Sequence, residues 1–242
     1  MALIDWTTII LAAGRGTRMN GVTPKPLIQL GGRALIEPIL NWATVLTPHR
    51  TIVAISQATE LVASLFPDVR RQYIQVEPRG TGYTVREVLA QCTTAQVLIA
   101  QADDSYFLRL ETIRALMARH EERQADFTVG AAIVTKPTAY AHIERTPEGR
   151  LLTVHKQRED MQAPPPKEIV AGLYAGRADW LRTTLPRVQP STNGEFGLPS
   201  VIELGIAAGD RIDAFVIPEA EWQGINTPEE FAKAEAKLAL RS

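Results

Sequence analysis

Two glycines, Gly14 and Gly16, stand among the cations Arg15, Arg18 and Lys25, directly after the apolar residues Leu11, Ala12 and Ala13. Glycine admits backbone conformations closed to other residues and lets N–H groups approach phosphate oxygens. Guanidinium and ammonium groups add charge-assisted donors. The pattern suits a nucleoside triphosphate. It differs from both common phosphate loops, one of which needs Gly-Lys-Ser/Thr after four intervening residues and the other a third glycine where this chain has Met19. A simple tight turn from strand to helix remains the competing reading of the two glycines. The four histidines, His49, His120, His142 and His155, show no metal-ligand spacing on one helix and are read as structural or solvent-facing.

The run from Leu11 to Met19, continued by Pro24, Lys25, Pro26 and Leu27, resembles the signature of the sugar-phosphate nucleotidyltransferases, the nucleoside-diphosphate-sugar pyrophosphorylases. Within them it is most similar to the uridylyltransferase domains that act on N-acetylglucosamine 1-phosphate. The resemblance implies that Leu11, Ala12, Ala13, Gly14, Gly16 and Thr17 wrap the triphosphate, while Arg18 and Lys25, with Arg15 beside them, hold its phosphates. It implies Mg²⁺ as cofactor, held by Asp103 in the sequence Gln101, Ala102, Asp103, Asp104 and by Asn226 ahead of Thr227 and Pro228. Asp104 has the weaker claim on the metal. Hard cations prefer such oxygen donors, and Mg²⁺ needs only one or two from protein. The stretch from Gln75 to Gly82 resembles the family's base-recognition turn, which assigns Gln75, Gly80 and Thr81 to the nucleobase, with Thr81 as the start of a helix the alternative.

On the same resemblance Tyr140, Gly172 and Glu195 contact the acceptor phosphosugar. The likeness breaks at three neighbouring positions, where Ala141, Val154 and Val170 replace a glycine, a glutamate and an asparagine. Losing a carboxylate and an amide removes partners for sugar hydroxyls and argues against N-acetylglucosamine 1-phosphate as acceptor. UTP ranks first among nucleotides, with dTTP, CTP and GTP open; thymine differs from uracil by one methyl, about 1 kcal/mol of apolar transfer. Two other classes stay in play: a glycosyltransferase using Asp103 and Asp104 as its metal pair, and a silent nucleotide-sensing domain.

Positioning these residues takes an α/β fold, single-domain and Rossmann-like, with a mixed, mostly parallel sheet flanked by helices. Strands are expected over residues 7–13, 51–56, 73–76, 96–100, 127–134, 169–174 and 212–216. Helices are expected over 34–46, 59–66, 82–91, 110–124, 178–185 and 199–208. A last helix begins at Pro228, with Thr227 and Glu230 as its capping box. Residues 158–167, with three consecutive prolines, carry too little apolar content to pack and are expected to form a mobile loop. Ligands of such sheets gather beyond the carboxyl ends of the strands, and four such places look chemical: the glycine-rich loop after the first strand, the turn after the third, Asp103 after the fourth and Asn226 near the C-terminus.

A chain of 242 residues, 45% hydrophobic, suffices for one nucleotidyltransferase domain spanning 1–242. The 26 basic and 27 acidic residues leave a formal net charge of -1, no footprint for nucleic acid or membrane. A lone cysteine, Cys92, excludes an intrachain disulfide and points to a reducing cytoplasm. The first apolar run is too short to span a bilayer and lacks a basic leader. No hexapeptide repeat follows the last helix, so no acetyltransferase is expected. The expected partners are a nucleoside triphosphate and a sugar or polyol phosphate.

Overall fold

A computed structural model describes residues 6–14, 16, 23–135, 140–155 and 167–241. In chain order the strands and helices are β1 (Trp6–Leu11), β2 (Gln29–Leu30), β3 (Arg33–Ala34), α1 (Glu37–Leu46), β4 (Thr51–Ile55), α2 (Leu61–Leu65), β5 (Arg71–Gln75), α3 (Thr81–Leu89), β6 (Gln96–Gln101) and α4 (Leu110–Glu122). There follow β7 (Phe127–Val134), β8 (His142–Arg145), β9 (Leu151–His155), β10 (Lys167–Arg177), α5 (Ala178–Thr184), α6 (Ser200–Ala208), β11 (Ile212–Val216) and α7 (Pro228–Ala239). The main sheet runs β11-β7-β10-β6-β1-β4-β5, and β8 pairs with β10 and β9. Along that path β10 alone runs against its neighbours; the pairs β1 with β4, β1 with β6, β4 with β5 and β7 with β11 are parallel.

The central strands are apolar throughout because both faces are covered. Every residue of β1 is buried. Its period of two sends Ile10 to one core and Ile9 and Leu11 to the other. Helical spacing supplies the covering layers: Ile113, Leu116 and Met117 of α4 face the first core, and Val85, Val88 and Leu89 of α3 face the second. A smaller cluster, Leu30, Leu35, Tyr106, Phe107, Ile225 and Ala234, ties the C-terminal segment to the β2–β3 hairpin. That packing brings Asn226 back beside the first strand's loop.

Each expected strand and helix is present, with ends moved by a few residues. The largest changes are in β10, which extends the expected 169–174 at both ends, and α1, whose expected first residue Ala34 lies in β3. The β2–β3 and β8–β9 hairpins were not anticipated. With 2 residues each, β2 and β3 are too short for an alternation signal. The expected 158–167 loop lies outside the described residues except for Lys167, which opens β10. Thr227 caps α7 as expected, its Oγ1 accepting from Glu230 N at 3.2 Å. The Glu230 carboxylate reaches back one residue further than a standard capping box, accepting from Asn226 N at 2.6 Å. Among the described residues no helix is long and apolar enough to cross a membrane.

Candidate functional site

At the carboxyl ends of β1 and β6 the backbone leaves the sheet and opens a cleft of about 600 Å³. Leu11, Ala12, Ala13, Gly14 and Gly16 form one wall. Ala12 N donates to Ala54 O at 2.9 Å and Ala102 N to Leu11 O at 3.2 Å, so backbone pairing continues up to the cleft. Gly16 has φ 65°, and a Cβ there would lie 2.7 Å from Lys25 Cβ. The turn therefore needs glycine on two counts, backbone conformation and the close approach of Lys25.

Lys25 begins a short 3-10 turn, Lys25–Leu27, between Pro24 and Pro26, and only 8% of the residue is exposed. Its ammonium pairs with the Asp103 carboxylate and donates to Asn226 Oδ1 at 2.6 Å. Asp103 and Asn226, 123 positions apart in sequence, thus share one cation. Lys25, Asp103 and Asn226 all line the cleft.

A buried layer stands behind this trio. Asn226 Nδ2 donates to the Tyr140 hydroxyl, which donates to Asp104 Oδ1 at 3.0 Å. Asp104 is buried, and burial, then the neighbouring Asp103 charge, pushes its carboxyl well above the usual range; Lys25 and the Tyr140 hydrogen bond oppose the shift. Burial, then Asp104, pushes the Tyr140 hydroxyl up as well. Gln101 at the end of β6 lines the cleft and donates to Tyr174 Oη at 3.3 Å.

The opposite wall is built by Pro78, Gly80, Thr81 and Thr84, with Glu195 and Gly197 alongside. Backbone bonds lock these two segments together: Phe196 N donates to Arg79 O at 2.9 Å and Gly82 N to Phe196 O at 2.8 Å. Thr81 Oγ1 accepts from Leu198 N at 2.9 Å. Thr81 also opens α3, so the helix-start and cleft-lining readings hold together.

Of the residues singled out in the sequence, Leu11, Ala12, Ala13, Gly14, Gly16, Lys25, Gly80, Thr81, Asp103, Glu195 and Asn226 meet at the cleft. Arg15, Thr17 and Arg18 lie outside the described residues. Three placements differ from expectation. Gln75 ends the edge strand β5, is exposed, and does not line the cleft, because the chain runs on through Val76 and Glu77 before turning inward at Pro78. Tyr140 and Gly172 do not line this cleft. Tyr140 lies between Asn226 and Asp104, and Gly172, at a bulge of β10, backs onto Asp104. Gln101, Thr84 and the depth of Asp104 were missed, although the first follows from its place as the last residue of β6, two before Asp103.

Val154 and Val170 are buried in the second core, with Ile143 paired across from Val154. Apolar packing fills the positions where the resemblance would place a carboxylate and an amide. His155 pairs with Glu144 at 2.6 Å, and His120 is buried between Thr128 and Gln96. Neither lines the cleft. Among the described residues no three His, Cys, Asp or Glu side chains gather as a metal cluster. The donor set that exists is one carboxylate and one amide oxygen already holding an ammonium, which fits a hard divalent cation that takes few protein ligands.

Residues 8–178 match the MobA-like NTP transferase domain. The Bifunctional protein GlmU of Paracoccus denitrificans is 32% identical over 240 residues, covering 97% of this chain and 53% of that protein. The Bifunctional protein GlmU of Synechococcus sp. is 31% identical over 237 residues, covering 96% and 52%. The chain spans about half the length of the curated relatives it matches. A Bacillus anthracis structure, assigned as a glucose-1-phosphate thymidylyltransferase and solved with a sucrose, matches with TM-score 0.81 over 96% of this chain and 94% of that one. Its identity is 15%, so the likeness is one of fold. With the greater part of the chain inside the match and the cleft built from the matched strands, the chain belongs to the MobA-like NTP transferase domain family and is a nucleotidyltransferase.

Proposed function

We propose that the chain, read as one domain over 1–242, transfers a nucleotidyl group from a nucleoside triphosphate, UTP first, to a sugar 1-phosphate or related phosphate, releasing pyrophosphate. The observation that carries the reading is the Lys25 ammonium held between Asp103 and Asn226, all three lining a glycine-walled cleft. Such a site offers both a cation for phosphate and oxygen donors for a divalent metal.

Asp103 and Asn226 would hold Mg²⁺, which when bound supplies charge neutralisation for the reacting phosphates. The acceptor phosphate is already ionised at neutral pH, so its oxygen attacks the α-phosphorus without a general base. The chain's task is to bring two polyanions into line. Lys25, with Arg15 and Arg18, binds the triphosphate and the departing pyrophosphate. The backbone of Gly14 and Gly16, with Leu11, Ala12, Ala13 and Thr17, shapes the phosphate wall. Gly80 and Thr81 receive the base, and Glu195 takes a hydroxyl of the acceptor. The buried valines 154 and 170 supply no polar partner there, which favours an acceptor other than N-acetylglucosamine 1-phosphate.

The test is pyrophosphate release with Mg²⁺, each of UTP, dTTP, CTP and GTP, and a panel of sugar and polyol 1-phosphates. Release that requires nucleotide and acceptor together, largest with UTP, is the expected result. Nucleotide binding by calorimetry without release across the panel would favour a sensing role and overturn the transfer.

A further inference from the structure

We propose that Tyr140 and Asp104 are positioning residues that fix which end of the Asn226 amide faces the cleft, so that Asn226 presents oxygen to a cation. The inference rests on the reading of Asp103 and Asn226 as a metal-holding pair, and adds residues that never touch the metal or the substrates. The two ends of an asparagine amide are nearly alike in shape and opposite in polarity, so neighbours must choose between them. A nitrogen turned toward a divalent cation would repel it.

The choice is made by hydrogen-bond polarity passed along a line. Asp104 Oδ1 accepts the Tyr140 hydroxyl proton at 3.0 Å. With its proton committed, the Tyr140 oxygen is left to accept, and it accepts from Asn226 Nδ2. Oδ1 is then the end left for the cleft, where Lys25 donates to it at 2.6 Å. Lysine has donors only, so the contact on the cleft side demands the same orientation independently. The Asn226 backbone is held too, its N–H donating to Glu230 Oε2 at 2.6 Å.

The packing keeps the line in place. Asp104 is 3% exposed. It backs onto Gly172, whose φ is 74° and where an added Cβ would lie 2.8 Å from Asp104 Oδ2. That glycine sits where β10 bulges, between Val170 and Tyr174. On the other side, a Cβ at Gly224 would strike the Tyr140 hydroxyl, and the Trp222 ring meets the Tyr140 ring edge-on at 5.2 Å. Glycine at 172 and 224 thus leaves room for a carboxyl and a hydroxyl at these points.

The test is Mn²⁺ affinity, read by electron paramagnetic resonance in the presence of UTP and without acceptor. Tyr140→Phe keeps the ring and removes the hydroxyl; it is expected to weaken Mn²⁺ binding about tenfold, as loss of an orienting partner does at metal sites. UTP affinity in EDTA, measured by calorimetry, should not move. In an Asn226→Asp background both ends of the side chain are oxygen, so the same Tyr140→Phe change should cost less than about twofold. Gly224→Ala, which displaces the hydroxyl without deleting it, should reproduce the loss seen with Tyr140→Phe. Equal losses with and without the Asn226→Asp change, or full Mn²⁺ affinity in Tyr140→Phe, would overturn the proposal. Wild-type protein that binds UTP but no Mn²⁺ would instead overturn the metal-pair reading beneath it, before any variant is compared.

Discussion

Lys25 donates to both Asp103 and Asn226, so one ammonium occupies the space between the two oxygens that a divalent cation would also use. Two cations cannot share that space, since like charges a few ångströms apart repel by several kcal/mol near a protein surface. Triphosphate offers Lys25 another partner and leaves the oxygens to the metal. Nucleotide-free Lys25→Met protein should therefore bind Mn²⁺ about tenfold more tightly than wild type, a gain of roughly 1.4 kcal/mol, while its UTP affinity falls. Unchanged metal affinity in titrations without nucleotide would refute the competition. Asp103→Asn keeps the volume and removes the charge; pyrophosphate release should drop by about two orders of magnitude, the scale of losing one electrostatic contact to a transition state. At this scale the sequence was informative about residue type and poor about depth. Asp103 and Asp104 are adjacent carboxylates, yet Asp103 lines the cleft and Asp104 is buried against Gly172 at the β10 bulge. Gln75 carried a plausible amide but sits on the exposed edge strand.

Elements matter here through their ends. The start of α7 does two things at once: Thr227 Oγ1 caps the helix, and Glu230 Oε2 holds the backbone of Asn226. Thr227→Ala should cost about 1 kcal/mol of stability through the lost cap, read as a fall of roughly 2–4 °C in Tm for a chain of this size. Glu230→Gln keeps a side-chain acceptor with less charge, so its effect should show in Mn²⁺ affinity more than in Tm. Identical effects of the two changes on both readouts would mean that α7 does not place Asn226. This helix start was legible because Thr, Pro and Glu at that spacing encode the cap locally. The β8–β9 hairpin was not, since its pairing, with a shift between Glu144 and Arg145, depends on contacts with β10 that no local pattern carries.

Across the whole molecule the two ends of the sheet divide the work. The alternation of apolar strands with helices that predicted the layers was readable because strands such as β1 are apolar throughout, Ile9, Ile10 and Leu11 having to satisfy two cores at once. What brings Asn226 from the far end of the chain to Lys25 is the small cluster of Ile225 and Ala234 with Leu30 and Leu35, a long-range packing that only the family resemblance anticipated. At the end of the sheet away from the cleft lies His120, with Nε2 3.1 Å from Gln96 Oε1 and Nδ1 2.9 Å from Thr128 Oγ1. Gln96 and Thr128 are near the starts of β6 and β7, which fixes that location. Burial, the dominant cause, holds His120 down to about 4. An unfolded histidine titrates near about 6.5, so between those values the unfolded chain takes up a proton that the folded one refuses. Stability from this group is complete above pH about 6.5 and is lost as the pH falls toward about 4. From pH about 7 to about 5 the loss is of order 2 kcal/mol. His120→Gln retains an amide able to bond both neighbours and has no titration, so urea denaturation should show a pH dependence flatter by about that amount over the same range. Nucleotide affinity at neutral pH should be unaffected, because His120 does not line the cleft. A variant whose stability falls with pH as steeply as wild type would show that acid sensitivity originates elsewhere.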